Sequence, residues 1–324
     1  MVMTLLTRPK KTVATVVVAT DGSGDYNCDG TADDVEINAA INSLPAGGGC
    51  IYIKEGTYNL TASIILTRNN LGVIGCGSST ILQTNVDPII MMYANANRDD
   101  ILIKNLYFYG NQTGANCNGL ILGDLLGQTI TNTIISECWF ERFSGTNLVI
   151  YFGSNVIIKD CIAFNNNRLI GECIRIANSS DCICANNRVY NSTDTCIHIE
   201  DSTDIQVIGN NAYQGTNNGI WIESSDRCQI ISNSCYDNGY NIALAIADDN
   251  VLDGNICRDA TNDGISINGD DNIVSNNKCI DNDRYEIRTT GTRTIISGNN
   301  CVGTHVAPIN DAGTDTQIFN NIES

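Results

Sequence analysis

Short apolar runs recur along the chain, each followed by a polar bend and a second short apolar run. Ile101-Leu102-Ile103, Ile134-Ile135, Val156-Ile157-Ile158, Ile205–Ile208, Gln229-Ile230-Ile231, Ile273-Val274 and Ile295-Ile296 each open a unit. Leu120–Leu122, Leu148–Ile150, Ile174–Ile176, Ile197–Ile199, Ile220–Ile222, Ile242–Leu244, Ile265–Ile267 and Ile287 supply the second run. Runs this short, rich in β-branched residues and bounded by Asn, Asp, Gly and Ser, predict strands joined by tight turns. Their spacing is regular. Asn187, Asn210, Asn233, Asn255, Asn277 and Asn299 follow one another at intervals of 22 or 23 residues, and Cys235, Cys257, Cys279 and Cys301 stand two residues after the last four. A repeat of this size predicts a solenoid whose coils bury their apolar residues against one another. Stacked asparagines would hydrogen-bond to each other and to the bends, and stacked cysteines would act as small buried hydrophobes. Tyr107, Trp139, Ala163, Val189 and Ala212 stand at about the equivalent place in earlier coils, which predicts a core that narrows towards the carboxyl end.

The amino-terminal part differs. Thr12–Ala19 reads as a strand, and Asp33–Leu44 as a helix with Val35, Ile37, Ala40, Ile41 and Leu44 at helical spacing. Asp33 and Asp34 suit the helix start, and Pro45 with three glycines stops it. An open solenoid end exposes core and strand edges, so this helix is expected to be the cap. Residues 1–60 then comprise strand, capping helix and first coil, continuous with the coils of 61–324 in one all-β domain of roughly ten coils.

Charge narrows the partners. Asp and Glu number 36 against 18 Lys and Arg, a net charge of -18, although only 17% of residues are charged. Such a field repels a nucleic-acid backbone and favours a neutral or weakly charged glycan over a uniformly acidic one. The start, MVMTLLTRPKK, lacks the apolar core of a signal peptide, and no run approaches the 18 or so apolar residues of a membrane span. An extracellular or virion-associated protein, with its export signal removed or unused, is the expectation. Of the 15 cysteines, Cys28 and Cys50 are the pair considered for a disulfide.

One motif is more specific: Asp29-Gly30-Thr31-Ala32-Asp33-Asp34-Val35-Glu36-Ile37-Asn38-Ala39-Ala40-Ile41, then Gly47-Gly48-Gly49-Cys50-Ile51-Tyr52-Ile53 and Gly56-Thr57-Tyr58. With the coils that follow, it resembles the pectate-lyase-like superfamily, which contains polysaccharide lyases, glycoside hydrolases, mannuronan epimerases and phage tailspikes. The resemblance implies a single-stranded right-handed parallel β-helix, a polysaccharide partner, and a monomer or, as in tailspikes, a homotrimer. The family's catalytic signatures are not carried over. Asp270-Asp271 matches one isolated element of the polygalacturonase pattern, His198 and His305 are not flanked by glycines, and the epimerase Asp-Pro-His is absent.

Candidate sites follow from spacing. Asp25, Asn27, Asp29, Thr31, Asp33 and Glu36, with Gly30 between, have the oxygen-ligand spacing of a calcium loop, although the cap motif accounts for the same residues. In the second strands, side chains alternate between faces. If Ile174, Ile197, Ile220, Ile242 and Ile265 point inward, then Arg175, His198, Trp221, Ala243 and Ser266 point outward, followed by Arg288. A second outward column holds Ala177, Glu200, Glu223, Ala245 and Asn268. Arg175, His198, Glu200, Trp221 and Glu223 therefore meet on three adjacent coils. Any one of them on a polar sheet face means little. Together they make a sugar subsite, the indole stacking on a pyranose while charged groups bind its hydroxyls.

The expectation is a protein that acts on or binds a polysaccharide. As a hydrolase it would use Glu200 and Glu223 as acid and base or nucleophile, since neighbouring rungs, about 4.8 Å apart, suit the ~5–5.5 Å of retaining enzymes. His198 would relay protons, and Trp221 and Arg175 would position substrate. Two alternatives stand beside it: a non-catalytic virion or surface rod, and a lyase using Arg175 with Ca2+ held by Glu200 and Glu223.

Overall fold

The computed structural model describes residues 15–114, 116–124, 126–166, 171–303 and 307–323. His305 and the first residues of the expected Thr12–Ala19 strand lie outside them, and the observed strand is Thr15–Ala19. Each coil contributes one strand to each of three parallel sheets, here named A, B and C in chain order. Sheet B has 12 strands, marking about twelve turns against the roughly ten expected, because the short strands after the cap (Gly56–Asn59, Ile64–Ile65) already belong to the stack. Every pairing is parallel and in register. The inward column of sheet C runs Ile174, Ile197, Ile220, Ile242, Ile265 and Ile287 through successive coils. The architecture is a right-handed parallel β-helix, as expected.

A buried amide ladder locks that register. The side-chain Nδ2 of Asn187 donates to Asn210 Oδ1 at 3.0 Å, and the relation repeats at 2.9–3.1 Å through Asn233, Asn255, Asn277 and Asn299. The same Oδ1 atoms accept the backbone N–H of the preceding ladder residue, and the second amide hydrogens go to strand carbonyls, as from Asn210 to Cys184 and from Asn255 to Ile230. All donors and acceptors of these amides are thus used, the condition under which a buried polar group is tolerated. Each ladder residue follows one in the left-handed region: Asn186, Gly209, Ser232, Gly254, Asn276 and Gly298. The bend needs that conformation, which is why Gly and Asn dominate there.

Inside the ladder, Cys235, Cys257, Cys279 and Cys301 stack with no exposure. Upstream the column differs by one residue from the expected one. Phe108 and Phe140 point inward, stacked at 4.8 Å, and continue into Ala163, Val189 and Ala212. Tyr107 and Trp139 face outward. In the all-aromatic Tyr107–Tyr109 composition does not reveal which face is inside, whereas Glu141 marks the outer face of Trp139–Glu141. The narrowing of the core from Phe to Cys stands.

Helix α1 (Asp34–Ser43) buries Ile37, Ala40 and Ile41 over the amino end. Its acids serve as clamps. Asp33 accepts from the backbone N–H of Gly30 at 2.9 Å and of Asn59 at 2.6 Å, and Asp34 accepts from Thr61 at 2.7 Å and Ala62 at 3.1 Å. The Cys28–Cys50 pair considered for a disulfide is not bridged. Cys28 is buried beneath the cap with its sulfur towards Asp33 O, while Cys50 sits at the half-buried outer face of its strand. No helix among the described residues is long and apolar enough to cross a membrane.

Two outcomes are expected. Asn255→Ala orphans groups on both neighbouring coils and lowers stability by about 1–3 kcal/mol, read from urea unfolding. Burial pushes the Cys184 thiol up to about 12 and raises that of Cys235 as well, so native-state labelling of Cys184, Cys235 and Cys257 proceeds only on unfolding.

Candidate functional site

The two outward columns of sheet C assemble as the alternation predicts. Arg175, His198, Trp221, Ala243, Ser266 and Arg288 are in register down one, and Ala177, Glu200, Glu223, Ala245 and Asn268 down the other. All five proposed sugar-site residues are brought together.

Their environment differs from an open polar face. His198 is 2% exposed rather than solvent-facing. The Trp221 indole of the next coil stacks on the imidazole with centroids 4.3 Å apart and planes 6° from parallel. Glu172 closes the side, with Oε1 2.6 Å from His198 Nδ1, and Glu223 Oε2 lies 3.2 Å from Nε2. Arg175 forms an ion pair with Glu200 and places Nη1 3.6 Å from Glu172 Oε2. Its guanidinium also lies over the Tyr151 ring, 5.8 Å from the centroid. Burial works against the Arg175 charge, but Glu172 and Glu200 more than offset it and hold its pKa above the ordinary arginine value. The result is one continuous chain of ionisable side chains: Glu200, Arg175, Glu172, His198, Glu223.

Glu172 is the member that strand alternation misses. It lies in the bend two residues before the inward Ile174, outside any strand, yet it is 4% exposed and touches both Arg175 and His198. The readable signal was an acidic residue just ahead of an inward isoleucine whose next outward neighbour is arginine.

The surroundings give the cluster a surface. Beyond Trp221 the register places Ala243, too small to cover the far face of the indole. Towards the amino end the outward column continues through Val149, Ile121 and Tyr93. Val149 is 2% exposed. Next to Ile121 a depression of about 600 Å³ is lined by Thr61, Pro88, Ile90, Tyr93 and Asn118. Sheet C therefore presents a continuous face with an aromatic platform over a buried charged cluster.

Of the six residues at calcium-loop spacing, three are engaged with nearby backbone groups. Asp25 accepts from Val17 N, Asn27 bonds Gly24, and Asp29 accepts from Thr31 N, each at 2.9 Å. Asp33 and Glu36 do meet, in company with Cys28, their ligand atoms lying within 4.8 Å of one another.

With the geometry in hand, comparison with known proteins adds three findings. The family profile described as periplasmic copper-binding protein (NosD) matches residues 83–247 and 153–322. A probable pectinesterase/pectinesterase inhibitor from Arabidopsis thaliana (number 42) is 31% identical over 181 residues, 54% of this chain and 30% of its own. The chain spans less than a third of the length of the curated relatives it matches. Among solved structures, the A-module of the Azotobacter vinelandii mannuronan C-5 epimerase AlgE6 superposes with a TM-score of 0.81 at 17% identity, over 91% of this chain and 96% of that one. The Dettilon tailspike superposes with 0.77 at 14% identity, over 95% and 68%. At these identities the structural likeness is one of fold.

The cluster itself makes a prediction. Glu172→Ala leaves His198 and Arg175 without their shared buried partner and destabilises the protein by about 3–5 kcal/mol. Glu172→Gln, which keeps an acceptor beside His198, is expected to cost clearly less in the same urea titration.

Proposed function

The chain belongs to the family described as periplasmic copper-binding protein (NosD), and we propose that it acts on a polysaccharide laid along the outer face of sheet C. The observation that carries this reading is His198, buried between Glu172 and Glu223 and roofed by the half-exposed Trp221. Burying a histidine with carboxylates on both sides is expensive, and such clusters gather at functional sites. An indole with one face open beside carboxylates is what a pyranose needs, a hydrophobic plate with hydrogen-bond acceptors at its rim. A relative named as a probable pectinesterase and a fold shared with a mannuronan epimerase lend support.

The reaction is proposed to be glycoside hydrolysis. Glu223, in contact with His198, donates a proton to the leaving oxygen as the glycosidic bond breaks, and the Glu172–His198 pair resupplies it. Glu200, held by Arg175, is the nucleophile or the base that takes the proton from water. The ion pairs favour this over the calcium-dependent lyase, because Arg175 and His198 already stand at the two carboxylates that would hold the cation. The site of action is extracellular or virion-associated.

Copper, which the family's description names, takes thiolate, thioether or imidazole donors. Among the described residues the one triplet of candidate ligands is Cys28, Asp33 and Glu36. Its single soft donor is a thiol pushed up to about 12 by burial and by Asp33 and Glu36. Both Asp33 oxygens are occupied by backbone N–H groups. These donors do not fit copper, and the proposed chemistry uses none of them.

The test is incubation with plant, bacterial and algal polysaccharides, assayed for new reducing ends. Hydrolysis is expected, unaffected by chelator and lowered about 10²–10⁴-fold by Glu223→Gln or Glu200→Gln, with Trp221→Ala weakening binding by about tenfold. Binding without turnover would make the protein a carbohydrate-binding rod. A calcium-dependent, ultraviolet-absorbing unsaturated product would make it a lyase, and neither binding nor turnover across the panel would overturn the glycan reading.

A further inference from the structure

The arrangement at Glu172 occurs a second time. Four coils further along sheet C, Asp263 stands two residues before the inward Ile265, as Glu172 stands two before Ile174. Three residues after each acid comes an outward side chain, Arg175 in one case and Ser266 in the other. The next rung adds His198 in one case and Arg288 in the other. The same three positions of the coil therefore hold an acid, a polar residue and a cationic or titratable group in both places.

The second cluster is chemically the inverse of the first. Asp263 has no exposure, and neither of its oxygens makes a well-formed hydrogen bond with the described residues. Its ion pair is with Arg284, Nε to Oδ1 at 3.2 Å. Burial pushes its carboxyl up, against the pull of Arg284 and Arg288. Where Glu200 and Glu223 flank the first cluster, the second outward column here offers Asn268, which carries no charge. Arg284 and Arg288 against one carboxylate leave an excess of positive charge, on a face of a chain whose net charge is -18. Arg288 is half-buried, and among the described residues no carboxylate lies within ion-pair distance of it.

We infer that this is a second subsite on the same glycan-binding face, in which Arg288, backed by Asp263 and Arg284, recognises an isolated acidic group carried by the polysaccharide. The inference rests on the glycan reading above and specifies its substrate. Trp221 and Arg288 are three rungs apart, about 14 Å, with Ala243 and Ser266 between them as a low floor. A guanidinium binds a carboxylate or sulfate through two parallel N–H donors. The acidic residues of the first cluster repel a chain charged at every sugar. The glycan that satisfies both is sparsely acidic, neutral where it crosses Trp221 and anionic about 14 Å away.

Oligogalacturonides of one length and graded methyl esterification, together with neutral xylo-oligosaccharides and sulfated carrageenan oligosaccharides, separate the possibilities by calorimetric titration of the full chain. Partially esterified oligomers are expected to bind about tenfold more tightly than fully esterified ones, and more tightly than fully acidic ones. Arg288→Gln is expected to erase the preference over the fully esterified oligomer, and Arg288→Lys, which keeps charge but not the fork, to restore only part of it. Preference for the carrageenan series instead would assign the pocket to sulfate. Absence of any preference for an acidic group, or its persistence in a folded Arg288→Gln protein, would overturn the inference. Loss of all binding in Trp221→Ala beside an unchanged preference in Arg288→Gln would refute this subsite while leaving the glycan reading intact.

Discussion

The structure depends on one interaction repeated from coil to coil: a buried asparagine amide that donates to the asparagine of the next coil and accepts from the one before. Because each amide is saturated by two donations and two acceptances, a coil that shifted by a single residue would leave several buried polar groups unmet, at about 1–3 kcal/mol each. The ladder therefore enforces registry along the whole carboxyl half, and the 22- or 23-residue spacing of the chain is its consequence. The left-handed residue before each ladder position turns the chain sharply enough to bring the amide inward, which ties the polar core to the bend chemistry.

Registry has a second effect on the outer face. Side chains one rung apart are held at a spacing that suits ring stacking and charge pairing, so the columns of sheet B and sheet C form stacked and ion-paired ladders. On sheet B this yields a stacked ladder of Phe164, Tyr190, Tyr213 and Tyr236, with Arg188 and Arg258 over its rings. On sheet C the same spacing sets Trp221 on His198 and carries Arg175 to Glu200. The two clusters built around Glu172 and Asp263 reuse the same positions of the coil, and differ in charge because Glu200 and Glu223 flank the first while Asn268 and Arg284 stand at the second.

Much of this was legible from residue order. The coil period, the capping helix, the internal asparagine and cysteine columns and the membership of the two outward columns all follow from periodicity, because a strand's alternation and a solenoid's repeat are local rules. The errors have equally local causes. Phe108 and Phe140 were displaced by their neighbours Tyr107 and Trp139: Tyr107–Tyr109 is all-aromatic and carries no polar mark of its outer face, whereas in Trp139–Glu141 the charged Glu141 marks the face that Trp139 shares. Cys28 and Cys50 were paired on composition, whereas one thiol belongs to the cap and the other to the outer face of a strand.

What residue order determined was which side chains share a column. What only the tertiary structure decided was what each column becomes once the bends close over it. His198 looked like an exposed outward residue, and it is buried because Trp221 covers it from the next coil and Glu172 reaches it from a bend that no strand rule describes. The calcium-like spacing from Asp25 to Glu36 is present in the chain, yet Asp25 and Asp29 accept from backbone N–H groups eight and two residues away, and Asp33 from that of Asn59, which folding brings beside it. Periodicity fixes direction along a regular strand. At His198, burial and partnership arise from contacts 20 or more residues away, and those exist only after the coils are stacked.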